Sequence, residues 1–225
     1  VALIEIVSEP DLRSSEEAYQ YLVEVRKLVR YLEICDGNLE EGSLRCDANI
    51  SVMLKGSKKL GDRVEVKNMN SLRNVKKAIE FERDRQIELI ENGGVVEQQT
   101  RSFNAANGST VLMRSKENAN DYRYFPEPDL QPVILTPEYI QNIQKTLPLL
   151  PSELSKKFKL EYGLSEYDTN ILVDDKDIGL YFLELCSHVK NYKTAANIVN
   201  GSVKSYLNEK AISIKDFSVT PNRIA

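Results

Sequence analysis

The chain has 225 residues, 41 % of them apolar and 28 % charged, with a net charge of −4. That balance excludes disordered, collagen-like and disulfide-scaffold classes, and no apolar run approaches the roughly 18 residues of a membrane-spanning helix. An isoelectric point near 5.3 excludes a generally basic nucleic-acid binder, though not a local phosphate-binding surface.

Read in order, residues 2–8 are a nearly continuous apolar run that reads as a buried strand. The capping box Ser14-Ser15-Glu16-Glu17 opens a first helix, whose stripe runs through Ala18, Tyr21, Leu22, Val25, Leu28, Val29 and Leu32. Strands are expected at 44–54 and 63–68, then a helix over 70–91 that stops at Gly93-Gly94. A hairpin-like pair comes next, 95–103 and 110–116, turned by Asn107-Gly108. Residues 117–134 read as irregular, leading into a short strand at 132–135. Beyond Thr136 the pattern is helical only: from 136, from 151 to about 163, then 165–173, 177–189 and 191–208. The domain boundary is placed between 1–134 and 135–225. Val1 and the Thr220-Pro221 helix start at the far end suggest a piece of a longer protein.

Several chemistries fall away by residue type. Cys35, Cys46 and Cys186 are isolated, which fits a reducing compartment, and the single histidine, His188, cannot build a zinc site of the His/Cys type. Gly56-Ser-Lys-Lys-Leu-Gly61 has phosphate-loop glycine spacing but continues Asp62-Arg63 and lies between two strands, so it reads as a hairpin loop. The helix over 70–91 mixes five cations with Glu80, Glu82, Asp84, Glu88 and Glu91, a solvated salt-bridged face before a nucleic-acid stripe.

Two regions remain where chemistry could sit. Strand alternation places Leu44, Cys46, Ala48, Ile50 and Val52 on one face and Arg45, Asp47, Asn49 and Ser51 on the other. Glu65 and Lys67 share a face of the next strand, and Glu5 interrupts the first. If these strands pair, three carboxylates (Glu5, Asp47, Glu65) gather among cations. Either this is a solvated polar sheet face, or a hard cation such as Mg²⁺ sits between carboxylates and substrate phosphates. The second region is 113–129, where Arg114, Lys116 and Arg123 alternate with aromatic and acidic residues; it is a binding loop or a surface connection.

Four strings carry a resemblance: Leu-Ile-Glu-Ile-Val-Ser-Glu-Pro-Asp (3–11), Glu-Glu-Gly-Ser-Leu-Arg-Cys-Asp-Ala-Asn-Ile-Ser (40–51), Glu-Val-Lys-Asn-Met-Asn-Ser (65–71) and Asp-Tyr-Arg-Tyr-Phe-Pro-Glu-Pro-Asp (121–129). With Leu-Pro-Leu-Leu-Pro (147–151), Tyr-Gly-Leu-Ser-Glu-Tyr-Asp (162–168) and Lys-Thr-Ala-Ala-Asn (193–197), the chain closely resembles the B-subunit family of the aspartyl/glutamyl-tRNA amidotransferase. The resemblance implies an α+β fold: a mostly antiparallel-sheet, cradle-like kinase domain followed by a small all-α helical domain. It implies ATP-dependent phosphorylation of the side-chain carboxylate of Glu-tRNA(Gln) or Asp-tRNA(Asn), then amidation by ammonia from a glutaminase (A) partner, with a small C subunit in the complex. ATP and Mg²⁺ are the implied cofactors, and the implied location is the cytoplasm, or an organelle matrix in a eukaryote, with no membrane partner. On the family motifs, Glu5, Asp47 and Glu65 are metal-site acids, and Arg45, Lys67, Arg114, Lys116 and Arg123 are phosphate-stabilising cations. Further metal ligands fall before residue 1 and the tail domain after residue 225, so these residues alone are expected to be catalytically silent. The rival expectations are a non-catalytic tRNA-binding or assembly module, and a different ATP-dependent ligase or kinase.

Overall fold

A computed structural model describes residues 3–115 and 129–225. The fold is α+β. The chain separates into two compact units, Val1–Arg26 with Asp36–Pro132, and Lys27–Cys35 with Val133–Ala225. Residues 27–35, the end of the first helix and the turn after it, thus belong with the second unit.

In the first unit, α1 (Ser15–Tyr31) begins as its capping residues dictate, with the Glu17 amide donating to Ser14 Oγ at 3.1 Å. Its residues up to Arg26 lie in this unit. Four strands come after it: β1 (Ala48–Ile50), β2 (Val64–Lys67), β3 (Gln99–Asn104) and β4 (Ser109–Ser115), with α2 (Leu72–Glu91) between β2 and β3. The sheet order is β1-β2-β3-β4. It is mixed: β1/β2 and β3/β4 are antiparallel and β2/β3 is parallel. The parallel pair results from α2, because a helical crossover returns the chain in the direction it left.

α2 starts at Ser71, whose hydroxyl accepts from the Asn74 amide at 3.1 Å, and it ends where Gly93 takes φ +79° and Gly94 N donates to Leu89 O at 2.9 Å. One face of the sheet is apolar. Ile50, Val64, Val66, Met69, Val75, Ala78, Val96 and Phe103 form a buried core there, with Leu22 packed against it. Each fully buried Val or Phe contributes about 1.5–3 kcal/mol relative to an exposed one. The hairpin loop between β3 and β4 closes with Gly108 N donating to Asn104 O at 2.9 Å, and Gly108 at φ +69°.

Three expected strands differ. Residues 3–8 have no regular structure, and Leu3, Ile4, Ile6 and Val7 are exposed. Alternation describes which side of a ladder a residue would face, but among the described strands none pairs with this segment. The strand expected at 44–54 is regular only over Ala48–Ile50, and 132–135 is irregular. The glycine-spaced segment 56–61 is a loop between antiparallel β1 and β2, closed by Gly61 N donating to Val52 O at 3.2 Å. It cradles no phosphate in the manner of a P-loop, because no helix comes after it.

The second unit is helical: α3 (Pro137–Thr146), α4 (Pro151–Leu160), α5 (Glu166–Val173), α6 (Lys176–His188), α7 (Tyr192–Ile198), α8 (Lys204–Lys210) and α9 (Pro221–Ile224). Caps explain the starts. Thr136, Ser165 and Asn191 each accept a backbone N–H from three residues on, and Asp175 accepts from Asp177 N and Ile178 N. The expected single helix over 191–208 is interrupted by a π turn, Val199–Val203, which carries Gly201. The core includes Tyr31, Leu154, Phe158, Leu172, Phe182, Leu185 and Val199. Phe158 meets Phe182 edge-on at 5.0 Å, and Tyr162 stacks on Tyr192 at 4.3 Å. The buried Tyr31 hydroxyl donates to Val173 O at 2.8 Å, which satisfies it. His188 is exposed at the end of α6, a surface histidine.

Candidate functional site

The sheet face away from α2 is polar, and the strand period builds it. Cys46, Ala48 and Ile50 turn inward while Arg45, Asp47 and Asn49 are exposed. Val64 and Val66 are fully buried, so Glu65 and Lys67 point the other way. The register then aligns Asn49, Glu65, Thr100 and Arg114 in one row across all four strands.

Lys67 is the centre of this face. Its Nζ hydrogen-bonds Asp47 Oδ2 and lies 3.2 Å from Glu65 Oε1. Thr100 Oγ1 donates to Glu65 Oε2 at 2.9 Å. Two carboxylates this close repel unless a cation lies between them, and Lys67 supplies it. Burial disfavours the Lys67 ammonium, yet the hydrogen bonds and charges of Asp47 and Glu65 outweigh it and hold its pKa above the ordinary lysine value. At the edge of the face, Asn68 takes φ +64° as the chain leaves β2, and its amide donates to Ser102 Oγ at 2.8 Å.

The sequence-derived residues fare differently. Asp47, Glu65 and Lys67 are brought together, with Arg114 in the Glu65 row. Arg45 is exposed on the Asp47 side of the chain. Glu5 lies in the irregular segment 3–8, so strand alternation does not bring it onto the sheet face. Among the described residues, no group of three or more His, Cys, Asp or Glu is placed to hold a metal. Lys116 and Arg123 lie outside the described residues. The donor chemistry present still suits a hard cation: Mg²⁺ is usually held by one or two carboxylates plus substrate phosphates, and Asp47 and Glu65 are two such oxygen donors on an open face.

Sequence reading missed a second cluster beneath the sheet. Glu82 of α2, expected on a solvated face, is fully buried. It accepts from Arg85 Nη2 at 2.6 Å, Gln86 Nε2 at 3.1 Å and Thr110 Oγ1 at 3.0 Å, and Arg101 Nε lies 3.5 Å away. Arg101 also donates to Thr110 Oγ1 at 2.8 Å and Thr110 O at 2.9 Å. Burial and the Arg85 charge lower the Arg101 pKa against the opposing pull of Glu82. This network ties α2 to β3 and β4 from below. Two thiols are held protonated: burial, aided by Asp47, pushes the Cys46 thiol up to about 11, and burial pushes Cys186 up to about 12.

Among the described residues, two shallow grooves lie in the second unit. One of about 430 Å³ has its charges engaged with one another, Lys176 with Glu33 at 2.7 Å and Lys215 with Asp177 at 3.0 Å. The open sheet face, with two carboxylates around one ammonium and an arginine in register, is the stronger candidate. Among the described residues, no helix is long and apolar enough to cross a membrane.

The first unit thus carries this polar face on one side of its mixed sheet and its apolar core on the other. The chain belongs to the GatB/GatE catalytic domain family, which matches residues 1–141. It is 50 % identical over 223 residues to the B subunit of the aspartyl/glutamyl-tRNA(Asn/Gln) amidotransferase of Alkalilimnicola ehrlichii, covering 99 % of this chain and 47 % of that protein. It is 48 % identical over 224 residues to the protein of the same name from Chlorobium limicola, covering 100 % of this chain and 47 % of that protein. The chain spans about half the length of the curated relatives it matches.

Proposed function

We propose that this chain is the carboxylate-activating part of a tRNA-dependent amidotransferase. The substrate is the side-chain carboxylate of Glu on tRNA(Gln) or of Asp on tRNA(Asn). One carboxylate oxygen bonds to the γ-phosphorus of ATP and ADP leaves, giving an acyl phosphate. Ammonia then bonds to the acyl carbon, phosphate leaves and a proton is lost, giving the amide. The ammonia comes from a glutaminase (A) subunit, with a small C subunit completing the complex. The setting is the cytoplasm of a bacterial cell, or an organelle matrix.

The observation that carries this reading is the Asp47–Lys67–Glu65 cluster in register with Arg114, in a chain of this family. Asp47 and Glu65 would hold the Mg²⁺, which neutralises phosphoryl charge when bound. Lys67, already held between the carboxylates, and Arg114 are the cations that meet phosphoryl oxygens, and an arginine does so in a bidentate fork. Arg45, Lys116 and Arg123 are proposed to extend that positive rim, and Glu5 to complete the metal shell. Acids on a bare tRNA-binding surface would instead repel phosphate, which disfavours a purely binding role.

The test uses the full-length protein assembled in its complex and a misacylated tRNA whose side-chain carboxylate carries ¹⁸O. The expected result is one ¹⁸O in the released phosphate per amide formed. Amide formation with unlabelled phosphate would overturn the acyl-phosphate route.

A further inference from the structure

We propose that Thr100 is a positioning residue that fixes the Glu65 carboxylate; this rests on the reading of Glu65 as a site residue given above. Thr100 is 1 % exposed, and its hydroxyl donates to Glu65 Oε2 at 2.9 Å. The other oxygen of Glu65, Oε1, faces Lys67 Nζ at 3.2 Å. Each carboxylate oxygen therefore has its own neighbour, one buried and neutral, one cationic and half-open. A hydroxyl bonded to an ionised carboxylate is charge-assisted, shorter and stronger than a neutral pair. It restrains the Glu65 carboxylate from the side opposite Lys67.

The backbone around Thr100 is built to hold it. Thr100 pairs Glu65 in the parallel β2/β3 ladder, so the two side chains are direct cross-strand neighbours. On its other side it faces Arg114, and the register then jumps: Arg101 pairs Leu112, leaving Met113 extra. Such a bulge re-aims side chains and is found beside active sites. Arg101, the next residue, is anchored on the opposite face by Thr110 and Glu82. The buried network under the sheet thus pins the strand at the point where Thr100 reaches over to Glu65. β-Propensity alone does not ask for a hydroxyl here, since Val has the same shape and a comparable preference for strands.

The test compares Thr100→Val, Thr100→Ser and Glu65→Gln in the full-length protein within its complex. Two quantities are read: Mn²⁺ binding by paramagnetic resonance without tRNA, and tRNA-dependent ATP cleavage. Loss of an orienting partner behind a ligand typically costs about 10–100-fold in metal affinity or activity. Thr100→Val is expected to weaken Mn²⁺ binding by that factor and to lower kcat, while Thr100→Ser stays within about threefold of wild type, below that range. Should Thr100→Val not fold, Thr100→Ala against Thr100→Ser isolates the hydroxyl, since both lose the methyl. If Glu65→Gln abolishes both readouts and the variants lacking the hydroxyl change neither, the positioning role is overturned. Equal losses in Thr100→Ser and Thr100→Val would also overturn it, since packing rather than the hydroxyl would then matter. If Glu65→Gln itself leaves both readouts intact, the site reading fails first and carries the positioning role with it.

Discussion

Glu82→Gln keeps the size of a side chain that is fully buried and removes its charge. The wild-type carboxylate receives hydrogen bonds from Arg85, Gln86 and Thr110, with Arg101 at 3.5 Å. A glutamine amide turns one of those acceptor positions into a donor facing donors. Arg85 is 24 % exposed at its side chain and can recover water, but Arg101 is 14 % exposed and loses its nearest counter-charge. Removing one partner of a buried ion pair costs about 3–5 kcal/mol, and the partial hydration of Arg85 places this case near the lower end, about 3 kcal/mol. The two compact units need not unfold together, so the proper assay is amide hydrogen exchange at Val64 and Val66, in the core of the first unit. Exchange should speed up on the order of 100-fold, the equivalent of about 3 kcal/mol. Adding Arg101→Met should restore part of the loss, with a coupling of about 1–3 kcal/mol. Acceleration by less than about tenfold, or simple additivity of the two changes, would refute the view of Glu82 as the electrostatic tie between α2 and the sheet.

Gly61→Ala places a Cβ 2.5 Å from Val52 O, so the loop between β1 and β2 must open, at a cost of about 1–3 kcal/mol measured by thermal melting. Gly201→Ala meets open space on the π turn and should cost less than half as much in the same melts. In the second unit, hydrogen bonds from Lys193 and Ser165 hold the Asp168 carboxyl below its ordinary value. A depressed carboxyl contributes stability that is present above its unfolded pKa of about 3.9 and is lost as pH falls through the lower folded value. Acid titration of second-unit stability should therefore show a fall below about pH 4 that shrinks in Lys193→Met, and an unchanged fall would argue against this pair as its source.

Much of the fold is legible in the chain because its punctuation is local. Ser14 and Thr136 start the helices expected of them, and Gly93 and Gly108 close the helix and hairpin they were expected to close. Period-two reading also placed Asp47 with Asn49 and Glu65 with Lys67 on the side away from the core. Residues 3–8 escaped it because an apolar run does not reveal whether a partner strand exists. Glu82 escaped because a charged helix position looks solvated until the sheet, 19 residues later in sequence at Arg101, supplies its counter-charge. Thr100 carries no signal in isolation. Its meaning depends on a parallel register that only the β2-α2-β3 crossover creates. The role of Lys67 likewise depends on its being opposite Asp47, a cross-strand fact rather than a spacing.

The central claim is that the Asp47 face activates a carboxylate with ATP, and Asp47→Asn tests it most directly. The change keeps the shape and removes a full charge from the proposed metal shell, and the ion pair it weakens with Lys67 is partly exposed and worth about 0–1 kcal/mol, so stability should hardly change. Basal glutamine hydrolysis and tRNA-dependent ATP cleavage are measured separately in the full-length variant complex. ATP cleavage should fall by at least about 100-fold, as expected when metal-borne charge stabilisation of several kcal/mol is withdrawn, while glutamine hydrolysis persists. ATP cleavage near the wild-type rate would contradict the assignment and leave Asp47 a surface acid paired to Lys67.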